Sequence, residues 1–95
     1  MVDLVWLPEA QNDLQRLYEF IALHSEDAAA RATNTLVAGA ETLRDFPQKG
    51  RPWPPDQRFR ELSVNFGVRG YVIRYRELKD RIVIVRVWHT REERS

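Results

Sequence analysis

A chain of 95 residues has room for one hydrophobic core, so the expectation is a single domain over residues 1–95. A hydrophobic fraction of 43% with 11% aromatic residues excludes a disordered chain, and the absence of cysteine excludes a disulfide framework or a thiolate metal site. The net charge of +1 conceals a division: residues 1–45 hold three arginines against eight acidic residues, residues 46–95 hold twelve Lys and Arg against six, and thirteen of the fifteen cations are arginine.

"VDLVW" (2–6) reads as a short apolar strand. Pro8 then stands where a first helical residue belongs, with Glu9 in the dipole-favoured first turn and Leu7 at an N-cap it cannot serve. Ala10, Leu14, Leu17, Tyr18 and Ile21 share one helical face, with Asp13, Arg16 and Glu19 outside it. Ser25 is a good N-cap for a second helix, with Glu26 and Asp27 in its first turn and Ala29, Ala32, Leu36, Ala40 and Leu43 as its buried stripe. Small residues on that stripe, with Gly39 nearby, predict an antiparallel helical hairpin of close axes. Asp13, Glu19, Glu26 and Asp27 read most simply as solvated backs and caps of these helices. "DFPQKGRPWPP" (45–55) ends the helix and forbids regular structure; Trp53 within it is expected to pin the loop onto the hairpin.

Three strands follow: "RFRELSV" (58–64), "YVIRYRE" (71–77) and "RIVIVRVWH" (81–89). Short loops join them, so neighbours should be antiparallel. The expected fold class is α+β in the order β-α-α-β-β-β, with the hairpin on one face of a mainly antiparallel four-stranded sheet. Strict alternation places Val83, Val85 and Val87 with Tyr71, Ile73 and Tyr75 against the helices. Ile82, Ile84, Arg86, Trp88, Val72, Arg74 and Arg76 then occupy the opposite face. Such an uncovered, arginine-studded and partly apolar face invites a partner, with Glu61 as its one neutralising acid. Arginine suits bidentate contact with carboxylate or phosphate, so the C-terminal half is a candidate anion-facing surface. Trp88 beside the arginines reads equally as an interface anchor or as packing under the tail. For His89, a strand-end imidazole bonded to backbone outweighs direct chemistry.

A strand, then "PEAQNDLQRLYEFIA", "FPQKGRPW", "RELSV", "GYVIRYR" and a final "VRVWHTR" together resemble the ParE/RelE superfamily of toxins from type II toxin–antitoxin systems, closest to its ParE side. The resemblance covers about residues 2–91, and its specificity lies in the order and spacing of motifs that are individually weak. It implies a small cytoplasmic toxin with no cofactor or metal, neutralised by a cognate ParD-like, ribbon-helix-helix antitoxin that lies along the toxin's groove. A toxin homodimer or a heterotetramer with antitoxin is compatible with it, and a membrane partner is not. It further implies one of two targets, DNA gyrase for ParE-like members or ribosome-bound messenger RNA for RelE-like members.

Cleaving RNA without metal requires a base for the 2′-OH, cations for the phosphorane charge and an acid for the leaving oxygen. In RelE-like nucleases a key arginine usually follows the glycine–aromatic pair that opens the strand; here Gly70-Tyr71 is followed by Val72. The resemblance also implies a C-terminal tyrosine in such nucleases, and no tyrosine follows Tyr75. His89 and Arg91 match positions occupied in several members, whereas Thr90 stands where some have tyrosine. The nuclease candidates are thus Arg60, Arg74, His89 and Arg91; the candidates for antitoxin or target binding are Arg60, Arg74, Arg76, Arg86, Trp88, His89 and Arg91. On these residues a gyrase-inhibiting binder outranks an endoribonuclease, and a non-toxic binding module is third.

Overall fold

The computed structural model describes residues 2–92. In chain order these form β1 (Asp3–Trp6), α1 (Pro8–Ala22), α2 (Glu26–Glu41), a single 3-10 turn (Thr42–Arg44), β2 (Arg51–Pro52), β3 (Arg60–Phe66), β4 (Arg69–Glu77) and β5 (Arg81–His89). The charged tail over 93–95 lies outside the described residues. The strands make one sheet in the order β1-β5-β4-β3-β2. β1 runs parallel to β5, and every other neighbouring pair is antiparallel.

The α+β class and the element order follow the sequence reading, with the sheet gaining a strand. Residues 51 and 52 were expected to lack regular structure, yet they pair with Glu61 and Arg60. The pairing is two residues long and lies at the sheet's edge, where a proline without an N–H can be accommodated.

Local chemistry accounts for the hairpin. Leu7 gives α1 no side-chain cap, and Pro8 starts the helix with φ already set. Ser25 Oγ accepts the Ala28 N–H at 3.0 Å and so satisfies one of the unpaired donors of α2. Gly39 serves helix–sheet packing and not the helix–helix contact expected of it. A Cβ there would stand 2.9 Å from Val64 Cγ2, so glycine lets α2 settle onto β3. The core lies between hairpin and sheet and includes Leu17, Ile21, Leu36, Tyr71, Ile73 and Tyr75.

The faces of β5 depart from strict alternation. Arg74 lies opposite Arg86 while the next residue, Tyr75, lies opposite Ile84, so Val85 is an extra residue in the ladder. Such a bulge shifts the side-chain phase by one. Ile82 and Ile84 therefore join Val87 in the helix-side core, and all three are buried. The expected placement of Ile82 and Ile84 on the opposite face, and of Val83 and Val85 against the helices, is corrected accordingly. Beyond the bulge the original phase holds: Val72 and Trp88 pair on the second face, as do Arg74 and Arg86.

Candidate functional site

The second face of the sheet is not bare. Arg74 is only 9% exposed and Trp88 only 3%. The Arg74 guanidinium carbon lies 3.7 Å from the centre of the Trp53 ring and 4.5 Å from that of Trp88. Its Nε and Nη2 both donate to Glu61 Oε2, at 3.0 and 2.8 Å. Glu61 is its direct cross-strand neighbour, the acid expected to neutralise this face. A guanidinium held between two indoles with a carboxylate at its edge satisfies both its π-faces and two of its donors. Trp53 thus folds over the sheet's second face, not onto the helical hairpin. It also meets the Phe59 ring edge-on at 6.3 Å. Trp88 is thus a buried platform, without the exposure that the anchor alternative called for, and Arg74 is held by contacts within the fold.

Arg86 is likewise engaged. β1 accompanies β5 only as far as Trp6 opposite Ile84, which leaves the edge beyond it without a strand. Asp13 of α1 takes that place. Its Oδ2 accepts the Val87 backbone N–H at 2.9 Å and Arg86 Nε at 2.7 Å, and its Oδ1 accepts Arg86 Nη2 at 3.1 Å and Arg16 Nη2 at 3.0 Å. Asp13 is 4% exposed, which overturns its reading as part of a solvated helix back. Burial alone would raise its pKa, but the bonds from Arg86, the Val87 amide and Arg16 together hold the carboxyl below its ordinary value.

The proline-rich loop is tied from inside. Tyr75 Oη donates to the Pro47 carbonyl at 2.7 Å and accepts the Gly50 N–H at 2.9 Å, while Arg60 Nη1 donates to the Gly50 carbonyl at 2.8 Å. Arg60 lies opposite Tyr75 in the ladder, so it shares the helix-side face and stands apart from Arg74. Arg76 is half-exposed on the second face and lies near enough to Asp56 to help lower that carboxyl's pKa to about 2, after the larger effect of the Arg58 hydrogen bond.

His89 and Arg91 belong to a fourth place, where the C-terminal ends of α1 and β5 meet the start of β4. A groove of about 620 Å³ opens there between Leu17, Phe20 and Ile21 of α1, Val68 of the β3–β4 turn, Arg69 and Tyr71 of β4, and His89 and Arg91. The His89 ring meets Tyr71 edge-on at 5.3 Å, and its Nδ1 accepts the Arg91 N–H at 3.0 Å. This is the backbone-bonded imidazole expected at the strand end. Tyr71 is 1% exposed and its hydroxyl has no hydrogen-bond partner among the described residues. Glu92 crosses the groove: Oε1 accepts the His89 N–H at 2.8 Å, and Oε2 is bonded to Arg16 Nη1. Sequence reading missed Arg16, Arg69, Tyr71 and Glu92 here. The only signal for them was the pairing of Tyr71 with His89, which brings both strand ends together.

The candidate residues therefore divide among four places. Arg60 braces the loop, Arg74 and Trp88 fill the second face, Arg86 locks the strand edge, and His89 with Arg91 lines the groove. Among the described residues no cluster of three or more His, Cys, Asp or Glu could hold a metal ion, and no helix is long and apolar enough to cross a membrane.

A two-helix hairpin on a mixed sheet, with an arginine-rich C-terminal half and a groove at the strand ends, defines a small α+β protein. The family model described as "ParE toxin of type II toxin-antitoxin system, parDE" matches residues 4–94, and the chain belongs to that family. It is 38% identical over 87 residues to Toxin RelE3 of Caulobacter vibrioides, covering 92% of each chain. It is also 38% identical over 85 residues to Toxin RelE1 of the same organism, covering 90% of this chain and 89% of that one. Among solved structures, one described as the chromosomal ParDE TA system from P. aeruginosa shares the fold with a TM-score of 0.79 at 23% identity, over 94% of this chain and 96% of the other.

Proposed function

We propose that this toxin acts by binding and inhibiting DNA gyrase, without covalent chemistry of its own, and that a ParD-like antitoxin neutralises it in the cytoplasm. The observation that carries the reading is the dispersal of the nuclease candidates. Arg74 is enclosed by Trp53, Trp88 and Glu61. Arg60 faces the other side of the sheet, about 13 Å along the ladder from the level of Tyr71 and His89 at ~3.3 Å per residue. Only His89 and Arg91 stand together. Val72, in the position where the family's nucleases carry an arginine, is buried against this second face and can neither donate a proton nor hold charge. Acid–base cleavage of RNA needs base, acid and cation within hydrogen-bond reach of one phosphate, and these residues are not so arranged.

The test is a supercoiling assay with purified gyrase and purified toxin. Inhibition at micromolar toxin, relieved by antitoxin, is the expected outcome; full supercoiling at that concentration would end the reading. A second reading, a ribosome-dependent endoribonuclease, is favoured by the relatives named RelE at 38% identity. Toxin-dependent cuts in translated messages that vanish in His89→Ala, with gyrase untouched, would establish it instead.

A further inference from the structure

Leu17, Ile21 and the Tyr71 ring, all buried, form the floor of the groove at the strand ends. Phe20 stands 62% exposed on one wall and Val68 is wholly exposed at the lip. Gly67, at a φ of 59°, allows the tight turn that carries Val68 there. The charges that line the groove are Arg16, Arg69 and Arg91 against Glu92. Arg16 is paired with Asp13 and with Glu92, whereas among the described residues Arg69 and Arg91 form no ion pair. The Tyr71 hydroxyl is buried without a hydrogen-bond partner among the described residues, a state that costs stability unless another molecule supplies the bond.

We propose that this groove is a binding site for a free small molecule, an aromatic carboxylate whose ring lies on the floor beside Phe20 and whose carboxylate is met by the guanidiniums of Arg69 and Arg91. Size, charge and floor identify the class. A groove of about 620 Å³ falls in the range that encloses a small organic ligand, with apolar lining for its body and a few polar groups to orient it. Glu92 shows which anion the donors of this place accept: one oxygen takes the His89 N–H and the other is bonded to Arg16. A guanidinium meets a carboxylate edge to edge through two parallel bonds, and Arg69 and Arg91 are left over for a second one. The body is aromatic because the lining offers rings: Phe20 stands open, and Tyr71 and His89 already meet edge-on. A ring N–H or hydroxyl on the ligand would supply the bond that the Tyr71 hydroxyl lacks, which selects among aromatic acids. An inorganic anion would satisfy the arginines and leave the floor in water. A nucleotide would set its ribose against Leu17 and Ile21. Glu92 keeps its own place on Arg16, so the ligand adds to the rim and displaces nothing.

The experiment titrates the full chain, labelled with nitrogen-15, and follows its backbone amides by NMR. The probes are indoleacetate, its neutral counterpart indoleacetamide, and acetate alone. Indoleacetate should shift the amides of residues 68–71 and 89–91 saturably, with a Kd of about 1 mM or tighter. Indoleacetamide should bind at least about fivefold more weakly, and acetate should not saturate in the same range. The Arg69→Gln/Arg91→Gln pair should abolish the preference for acid over amide, and Phe20→Ala should weaken both indole probes about threefold or more. Lys79, exposed in the β4–β5 turn at the opposite end of the sheet, controls for net charge, and Lys79→Gln should stay within about twofold of wild type. Amide spectra dispersed as in wild type establish that each variant is folded. The proposal is overturned by indoleacetate that fails to saturate by about 10 mM, or by equal affinity for acid and amide in wild type. A preference that survives the arginine pair, a Phe20→Ala protein that binds as wild type, or a loss in Lys79→Gln equal to that of the pair overturns it too. So does acetate that saturates as readily as indoleacetate, the mark of an adventitious ion only, or adenosine monophosphate that shifts the same amides at lower concentration, the mark of a nucleotide site. Neither gyrase nor antitoxin enters the measurement, so its outcome is independent of the supercoiling assay.

Discussion

Asp13 and Arg86, 73 positions apart, meet through two hydrogen bonds of 2.7 and 3.1 Å, and the same carboxylate accepts the Val87 backbone N–H of the strand edge that β1 leaves uncovered. A helix side chain thereby completes a sheet. Asp13→Ala would leave a buried amide unbonded and two guanidiniums short of their acid. The expected loss is about 2–4 kcal/mol in urea denaturation. Asp13→Asn, which keeps one acceptor, should lose less.

The same residue sets part of the acid limb of stability. Its folded-state pKa lies below the ordinary 3.8 because the hydrogen bonds from Arg86, Val87 and Arg16 outweigh the opposing effect of burial. A depressed carboxylate contributes stability that is fully present above its unfolded pKa and is lost as pH falls through the folded value. The stability gap between wild type and Asp13→Asn should therefore be constant above pH 5 and close below pH 3.8. Asp56, half-buried beside Arg58 with a pKa of about 2, works in the same direction and is unchanged in both proteins, so the difference isolates Asp13.

Arg74 gives a sharper test of the closed second face. Arg74→Met keeps the volume but removes the two guanidinium bonds to Glu61 and the cation from between Trp53 and Trp88. A cost of about 1–3 kcal/mol is expected, together with a red-shifted tryptophan emission as Trp53 swings into water. If Arg74 instead stood free for a partner, the substitution would leave both stability and emission unchanged. Arg74→Lys should recover only part, because an ammonium cannot present two flat faces to two indoles.

The proline-rich loop depends on Tyr75 and Gly50. Tyr75→Phe removes a donor to Pro47 and an acceptor for Gly50 N–H, and should cost about 1–3 kcal/mol, with faster amide exchange over residues 46–53. Gly50→Ala should be worse. Its Cβ would stand 2.7 Å from Tyr75 Cε1 and 2.9 Å from the Glu61 carbonyl oxygen, and the latter is backbone that cannot yield.

The bulge makes a prediction of opposite sign to simple alternation. Ile84→Lys would bury a charge in the helix-side core and should unfold the protein. Val85→Lys falls on the half-buried extra residue and should cost well under half as much. Thermal melts of the two variants decide between the registers.

The sequence by itself determined the elements and their order. The helical stripes, Ser25 at its cap, Pro47 beyond the second helix and the three β-rich runs are local signals, each read within a few residues. It also determined the family, because that rests on motif order along the chain. Only the tertiary structure decided what the charged side chains do. Arg74 looked like a docking residue because Arg76 and Arg86 fall on the same face by alternation, yet its surroundings are set by Trp53, which arrives from a loop 21 residues earlier. Asp13 looked solvated because it borders the apolar stripe of α1, yet an open strand edge 74 positions away lies against it. Val85 carries no mark of a bulge, since any residue can be the extra one when the ladders on either side are satisfied. Charges, unlike apolar residues, take their role from whichever partner the fold delivers, and those partners are distant in sequence. The groove of Tyr71, His89 and Arg91 is the same case: it exists only where two strand ends and one helix end coincide.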